Sequence, residues 1–292
     1  MFVISIAIPK GGEGKTTTAV NLAASLAAAE KRTLLIDADT LGASGISLGY
    51  TADQVKSGLY DVFNYTHSLS QVIYKTELTH LDFVPANIST VLMEERLLRL
   101  SENRTVIKMA LHEVERLYDY VIIDCPPTLR GITTNALCAS NSVIAPMRAS
   151  HFSLDALMRL MKYLKWIRGV SNPQIYVEGI LLTMFEPNTK ITEITLRELK
   201  NHYSKFLFKI VIPKNSTLAE ATFYGRPALL YNINSRGARA YFGLATELIS
   251  RESSIAGIED APGGRKLSQR RISHLSADGN PQNPDPEKTE TN

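Results

Sequence analysis

The sequence predicts an α/β protein with a mostly parallel central sheet and helices on both faces. Two observations carry this. Short apolar runs rich in Val and Ile alternate with longer stretches of helical periodicity, as in strands buried on both sides and joined by crossover helices. The chain also opens on one complete βαβ unit, which is expected to be right-handed.

Phe2 to Ile8 is a short apolar run that reads as the first strand; it lacks the basic flank of a leader peptide. A glycine-rich loop follows. "TTTAVNLAASLAAAE" has helical periodicity and is rich in Ala, the best helix former. "RTLLIDAD" is a second buried strand that ends in acids. Further on, "LDFVPA" reads as a strand, Glu94 to Leu117 as a helix, and "YDYVIIDCPP" as a strand stopped by Pro126 and Pro127. A short helix leads to the strand "NSVIAPM". Asp155 to Ile167 is an amphipathic helix, "YVEGILLTMF" a strand, Thr192 to Tyr203 a helix and "KIVIPK" a last short strand. Ala238 to Ser250 closes the domain as a helix. These elements define one domain over residues 1–250. From Arg251 to Asn292 large apolar residues are scarce, so 251–292 is expected to be a disordered tail.

The composition is that of an ordinary globular protein: 44% hydrophobic and 21% charged, with a formal charge of +3 over 292 residues. So weak a net charge gives no whole-chain argument for nucleic acid; that case rests on local clusters. Two cysteines, Cys125 and Cys138, form neither a disulfide framework nor a spaced metal quartet, which fits a reducing cytoplasm. No run approaches the ~20 apolar residues of a membrane-spanning helix.

The chemistry concentrates in "PKGGEGKTTT", Pro9 to Thr18. Its end, Gly-Lys-Thr, is that of a phosphate-binding loop, but Pro9 stands where the usual pattern begins with glycine. Gly11, Gly12 and Gly14 free the backbone to curl around an anion, and the next helix points its N-terminus at the same place. Lys15 can reach the β- and γ-phosphates, and the Thr16 hydroxyl can ligate Mg²⁺. Asp124, at the end of another strand, is placed to orient Mg²⁺ through water, and Asp37 and Asp39 end a third. There is a second lysine, Lys10, which a standard loop does not need.

"KGGEGKTTTAVNLAASLA", "LLIDAD", "YDYVIIDCPP" and "VIPKNSTLAEATFYGRPALLY" together resemble the ParA/Soj branch of the ParA–MinD ATPases, over about residues 2–250. The resemblance implies a deviant Walker A loop. Lys10 is then the signature lysine, reaching the phosphates of ATP held by the facing subunit of an ATP-dependent homodimer. Lys10, Lys15 and Asp39 become the catalytic set, with Asp39 positioning the attacking water and Asp37 nearer the metal. Nucleotide contacts run over Lys10, Gly11, Gly12, Glu13, Gly14, Lys15, Thr16 and Thr17, with Pro213 added; Thr16, Asp37 and Asp124 serve the metal. ATP and Mg²⁺ are the implied cofactors, and a ParB-like protein the implied activator.

Three departures stand out. Glu13 sets a negative charge beside phosphates, which weakens nucleotide binding or dimerisation unless the side chain faces solvent or pairs with a base. Thr40 and Leu41 replace the family's Pro-Gln. Thr217 replaces an arginine of the family's DNA-binding region.

Between Lys190 and Arg239 stand nine Lys or Arg and three Glu, a local +6. In the family this region binds DNA without sequence preference, which makes Arg197, Lys200, Lys214, Arg226 and Arg236 the candidates and nucleoid association the expected consequence. A solvated basic face is the alternative. A sequence-specific operator-binding domain and a membrane-binding amphipathic tail are both unexpected. The leading expectation is an ATPase that partitions or positions a chromosome, plasmid or other cargo. The rival is a nucleotide-gated scaffold with weak hydrolysis and no DNA binding.

Overall fold

The computed structural model describes residues 1–259, with side chains to residue 252. Its elements in chain order are β1 (Phe2–Ile6), α1 (Lys15–Ala28), β2 (Thr33–Asp37), α2 (Ala43–Ser47), α3 (Leu59–Phe63), β3 (Tyr74–Lys75), β4 (Leu81–Val84), α4 (Val91–Leu100), α5 (Val106–His112), β5 (Tyr120–Asp124), α6 (Ile132–Ala139), β6 (Ser142–Met147), α7 (His151–Val170), β7 (Tyr176–Leu182), α8 (Lys190–Tyr203), α9 (Ser216–Phe223), α10 (Ala228–Tyr231) and α11 (Arg236–Glu259). The strands form one seven-stranded sheet in the order β3-β4-β2-β5-β1-β6-β7. All neighbours are parallel except β3, an antiparallel edge paired with β4.

Both faces of the sheet are covered, which is why β1, β2 and β5 read as continuous apolar runs. On one face α1 and α11 pack over Ile4, Ile6, Leu35 and Ile122. The alanines of α1 let it lie close to the sheet, and its Thr18 hydroxyl meets the buried Tyr241 hydroxyl of α11 at 3.2 Å. The other face carries the larger core, with Phe63, Leu111, Leu137, Leu157 and Leu160 over Ile36, Val121 and Ile123. Each such fully buried Leu, Ile or Phe contributes about 1.5–3 kcal/mol.

The sequence expectations need four corrections. The helix expected over Glu94 to Leu117 is two helices. The polar "SENRT" between them turns back on itself, and Asn135 of α6 satisfies the break by donating to the Ser101 and Asn103 carbonyls at 3.0 and 2.8 Å. "KIVIPK" is not a sheet strand. The Glu247 carboxylate accepts from the Lys209 and Ile210 amides, and Pro213 has no amide to donate, so within the segment only an isolated bridge of Pro213 to Phe185 forms. The short elements α2, α3, β3, α9 and α10 carry too little periodicity to be read in advance. Finally, the closing helix, expected over Ala238 to Ser250, runs from Arg236 to Glu259. Arg251 packs its guanidinium over Phe208 and bonds the Glu247 carboxylate at 2.6 Å. The rest of the expected tail, 260–292, lies outside the described residues.

Candidate active site

The strand order creates the site. β5 lies between β2 and β1, so their carboxyl ends bring the glycine loop, Asp37 and Asp124 to one rim. Asp37 and Asp124 are direct register partners, as are Ile6 and Asp124.

The loop after β1 curls through Gly12 at φ 74° and Gly14 at φ 82°, values that favour glycine. A Cβ at Gly14 would lie 3.6 Å from the Thr183 side chain, an ordinary contact, so the positive φ and not crowding calls for glycine there. No side chain caps the N-terminus of α1, which leaves its first amides facing the loop for an anion. Lys15 begins α1 and folds back to donate to the Lys10 carbonyl at 3.0 Å. Burial lowers its pKa from the ordinary lysine value, and the Asp124 and Asp39 carboxylates act against that.

Asp37 accepts from the Asp39 amide at 3.1 Å and the Ser44 amide at 3.0 Å. The Ser44 hydroxyl donates to Asp124 Oδ2 at 2.9 Å. Ser44 therefore ties two buried carboxylates together. Burial, then the Asp124 charge, pushes the Asp37 pKa well above the usual carboxylate range. Asp124 is pushed up to about 6 by burial, against the Thr16 and Ser44 hydroxyls that favour its charge. Asp39, just past β2, accepts from the Leu41 amide at 3.2 Å. Leu41 itself is 77% exposed and Gly42 takes a left-handed conformation to start α2, so Thr40 and Leu41 form an outward turn.

This donor set fits a magnesium nucleotide. Asp124 Oδ1 is buried without a hydrogen-bond partner, and two adjacent buried carboxylates call for a cation. Among the described residues no cluster of three or more His, Cys, Asp or Glu could hold a metal ion.

Glu13 neither faces solvent nor stands unpaired. It is fully buried, forms an ion pair with Lys10, and accepts from the Arg148 amide at 2.8 Å and the Ser153 hydroxyl at 2.9 Å. The expected conflict with phosphates is thus met within the chain. Neither Ser44 nor Ser153 is marked by a pattern in the sequence: Ser44 follows the acids of β2 by a few residues, and Ser153 lies 140 residues from Glu13.

The other expected residues are more dispersed. Thr16 and Thr17 lie in the first turn of α1, and Pro213 bridges to Phe185 beyond β7. Arg197 and Lys200 lie exposed on α8, Lys214 and Arg226 in the loops flanking α9, and Arg236 begins α11. Arg197 pairs with Glu193, Lys214 with Glu186 and Arg226 with Glu77. Cys125 and Cys138 are buried free thiols, both pushed up in pKa chiefly by burial, as inert structural cysteines are. No helix among the described residues is long and apolar enough to cross a membrane.

A glycine loop between β1 and α1, with acids closing the neighbouring strands, defines the class: a doubly wound P-loop protein. A family model described as an AAA domain matches residues 1–177. The chromosome partitioning protein ParA of Myxococcus xanthus is 38% identical over 251 residues, 86% of this chain and 89% of that one. The sporulation initiation inhibitor protein Soj of Bacillus subtilis is 38% identical over 84% of this chain and 97% of its own. Among solved structures, cobyrinic acid a,c-diamide synthase of Mycobacterium smegmatis with bound ATP analog and magnesium superposes with a TM-score of 0.74 at 27% identity, covering 91% of this chain and 98% of that one. The chain belongs to the ParA/Soj branch of the ParA–MinD ATPase family.

Proposed function

We propose that this chain binds ATP with Mg²⁺, pairs with a second copy across the nucleotides, and in that state binds DNA without sequence preference, so that a cargo is partitioned or positioned. A ParB-like partner stimulates hydrolysis and returns the chain to the monomer. The observation that carries this reading is the pair of lysines on one loop. Lys15 is buried at the start of α1, facing the chain's own phosphate site, whereas the Lys10 side chain retains 28% exposure.

The residues divide the work accordingly. The loop amides and Lys15 hold the phosphates, and Pro213 borders the nucleotide. Thr16, Asp37 and Asp124 would hold Mg²⁺, which would offset phosphate charge when bound. Asp39 orients the attacking water. Lys10 supplies a cation to the facing chain, as an arginine finger does. Support for DNA binding is the local charge excess over residues 190–239, because Lys and Arg contacts to phosphate need no base sequence. The scaffold reading draws on Lys214 and Arg226, whose charges are already engaged by Glu186 and Glu77.

The deciding experiment measures mass by light scattering and DNA binding by mobility shift, with ATP and with ADP, for the wild type and Lys10→Ala. Expected is an ATP-specific dimer that shifts DNA, with both properties lost in Lys10→Ala. A dimer without a DNA shift supports the scaffold; a Lys10→Ala chain that dimerises like the wild type removes the trans role.

A further inference from the structure

We propose that the Glu13 carboxylate is a latch: it holds the Lys10 ammonium within its own chain and competes for it with the phosphates of a facing chain, so that Glu13 sets how readily ATP assembles the dimer. This rests on the trans-lysine reading above.

The latch is built into rigid structure. A fully buried carboxylate is costly unless it is paired and hydrogen-bonded, and Glu13 is both. Its Oε2 accepts from the Arg148 amide, just past β6, at 2.8 Å. Ser153, in the first turn of α7, donates its hydroxyl at 2.9 Å to the same oxygen and stands 3.1 Å from the other. The Glu13 carbonyl takes the Thr183 hydroxyl, just past β7, at 2.9 Å. Backbone and side chain are thus pinned to β6, α7 and β7, and the one long, partly exposed partner is Lys10.

Ser153 completes the arrangement. A serine hydroxyl has one proton and two lone pairs. Its proton goes to Glu13, and the oxygen accepts from Lys10 Nζ at 3.1 Å and from the Ser150 hydroxyl at 2.6 Å. Ser150 in turn caps α7 by accepting the Ser153 amide at 3.1 Å. Every capacity of Ser153 Oγ is used, and two of the three Lys10 donors are engaged inside the chain. To serve a facing nucleotide, Lys10 must leave both. Glu13 then keeps its amide and hydroxyl donors but loses its counter-charge, the costly condition for a buried ion. The phosphates must offset that loss, so the latch raises the threshold for assembly and favours the more highly charged nucleotide.

Glu13→Gln tests this, since it removes the charge while keeping an oxygen for the Arg148 amide and Ser153. Sedimentation with a non-hydrolysable ATP analogue and Mg²⁺ would compare the wild type, Glu13→Gln and Ser153→Ala, each with and without Lys10→Ala. Losing the ion pair should tighten the dimer by about tenfold per latch, or about a hundredfold for the two latches that a symmetric dimer contains. Ser153→Ala should give no such gain, because Glu13 then lacks its hydroxyl donor and depends more on Lys10. The double variant Lys10→Ala, Glu13→Gln should dimerise no better than Lys10→Ala alone. A Lys10-dependent wild-type dimer that Glu13→Gln leaves unchanged or weakens overturns the latch alone. Nucleotide-bound monomers for every chain overturn the trans-lysine reading and the latch with it.

Discussion

Asp37 and Asp124 are register partners on adjacent parallel strands, and Ser44 joins them, its amide on one carboxylate and its hydroxyl on the other. The pair holds two acids, both nearly inaccessible to water, at the rim where the glycine loop ends. Their placement follows from strand order, and their protonation follows from their environment.

Ser44→Ala should leave Asp124 Oδ2 without its donor while sparing the amide bond to Asp37. A buried acceptor stripped of its partner costs about 1–3 kcal/mol. Urea unfolding should show a lower midpoint with an unchanged slope. A midpoint equal to that of the wild type would mean the hydroxyl contributes nothing to holding the pair.

The same pair predicts a pH dependence. Both carboxyls have pKa values raised above the usual range, Asp124 from 3.8 to about 6. Between those values the folded chain holds protons that the unfolded chain has released, so stability is greatest below the window and falls as pH rises through it. For Asp124 alone the loss amounts to roughly 3 kcal/mol by pH 7. Calorimetry without nucleotide or metal should show the wild type losing stability relative to Asp124→Asn as pH rises from about 4 to about 6. Parallel pH profiles for the two chains would show that burial does not shift Asp124.

Lys15→Ala should weaken ATP binding about a hundredfold or more, because the phosphates lose a buried, charge-assisted donor. Burial already disfavours the Lys15 ammonium, so the substitution should not unfold the chain. Calorimetric titration reads the affinity and a thermal melt checks the fold. Wild-type affinity in a folded variant would remove Lys15 from the phosphate site.

Asp39→Ala should keep ATP binding and stop turnover, which traps the dimer. The side chain holds the Leu41 amide at 3.2 Å and lies two residues beyond the register of β2 with β5, nearer the surface than Asp37. Hydrolysis at the wild-type rate would move the water-positioning role to another residue.

How much of this was legible in the sequence depends on the distance over which each contact is made. The strand, loop and helix from Phe2 to Ala28, and the acids at the ends of β2 and β5, are local patterns and read directly. Ser44 bonds Asp124 across 80 residues and Ser153 bonds Glu13 across 140, and no periodicity marks either. Glu13 therefore read as a misplaced charge until its partners were in view. The segment "KIVIPK" has strand composition, yet Glu247, far along the chain, captures its amides. Past Ser250 the fall in apolar content obscured a helix that Arg251 extends by packing on Phe208 and bonding Glu247.

Reversing charge at Arg197 and Lys200 is the sharpest test of the DNA reading. Both are exposed on α8, and their surroundings differ from those of Lys214 and Arg226. Lys214 and Arg226 reach across to acids on other segments, whereas Arg197 pairs, among the described residues, with Glu193 one helical turn away at 3.1 Å. An exposed pair of that kind is worth under about 1 kcal/mol, so a phosphate can displace Glu193 at little cost. Each Lys or Arg contact to DNA releases counterions, so losing two should lower the salt slope of binding by about 2 per chain while ATP affinity stays unchanged. Fluorescence anisotropy on a duplex at several salt concentrations, with ATP and Mg²⁺, gives that slope. Weaker binding with a shallower slope places α8 on the phosphates, whereas an unchanged slope assigns both residues to a solvated face and shifts the case toward the nucleotide-gated scaffold.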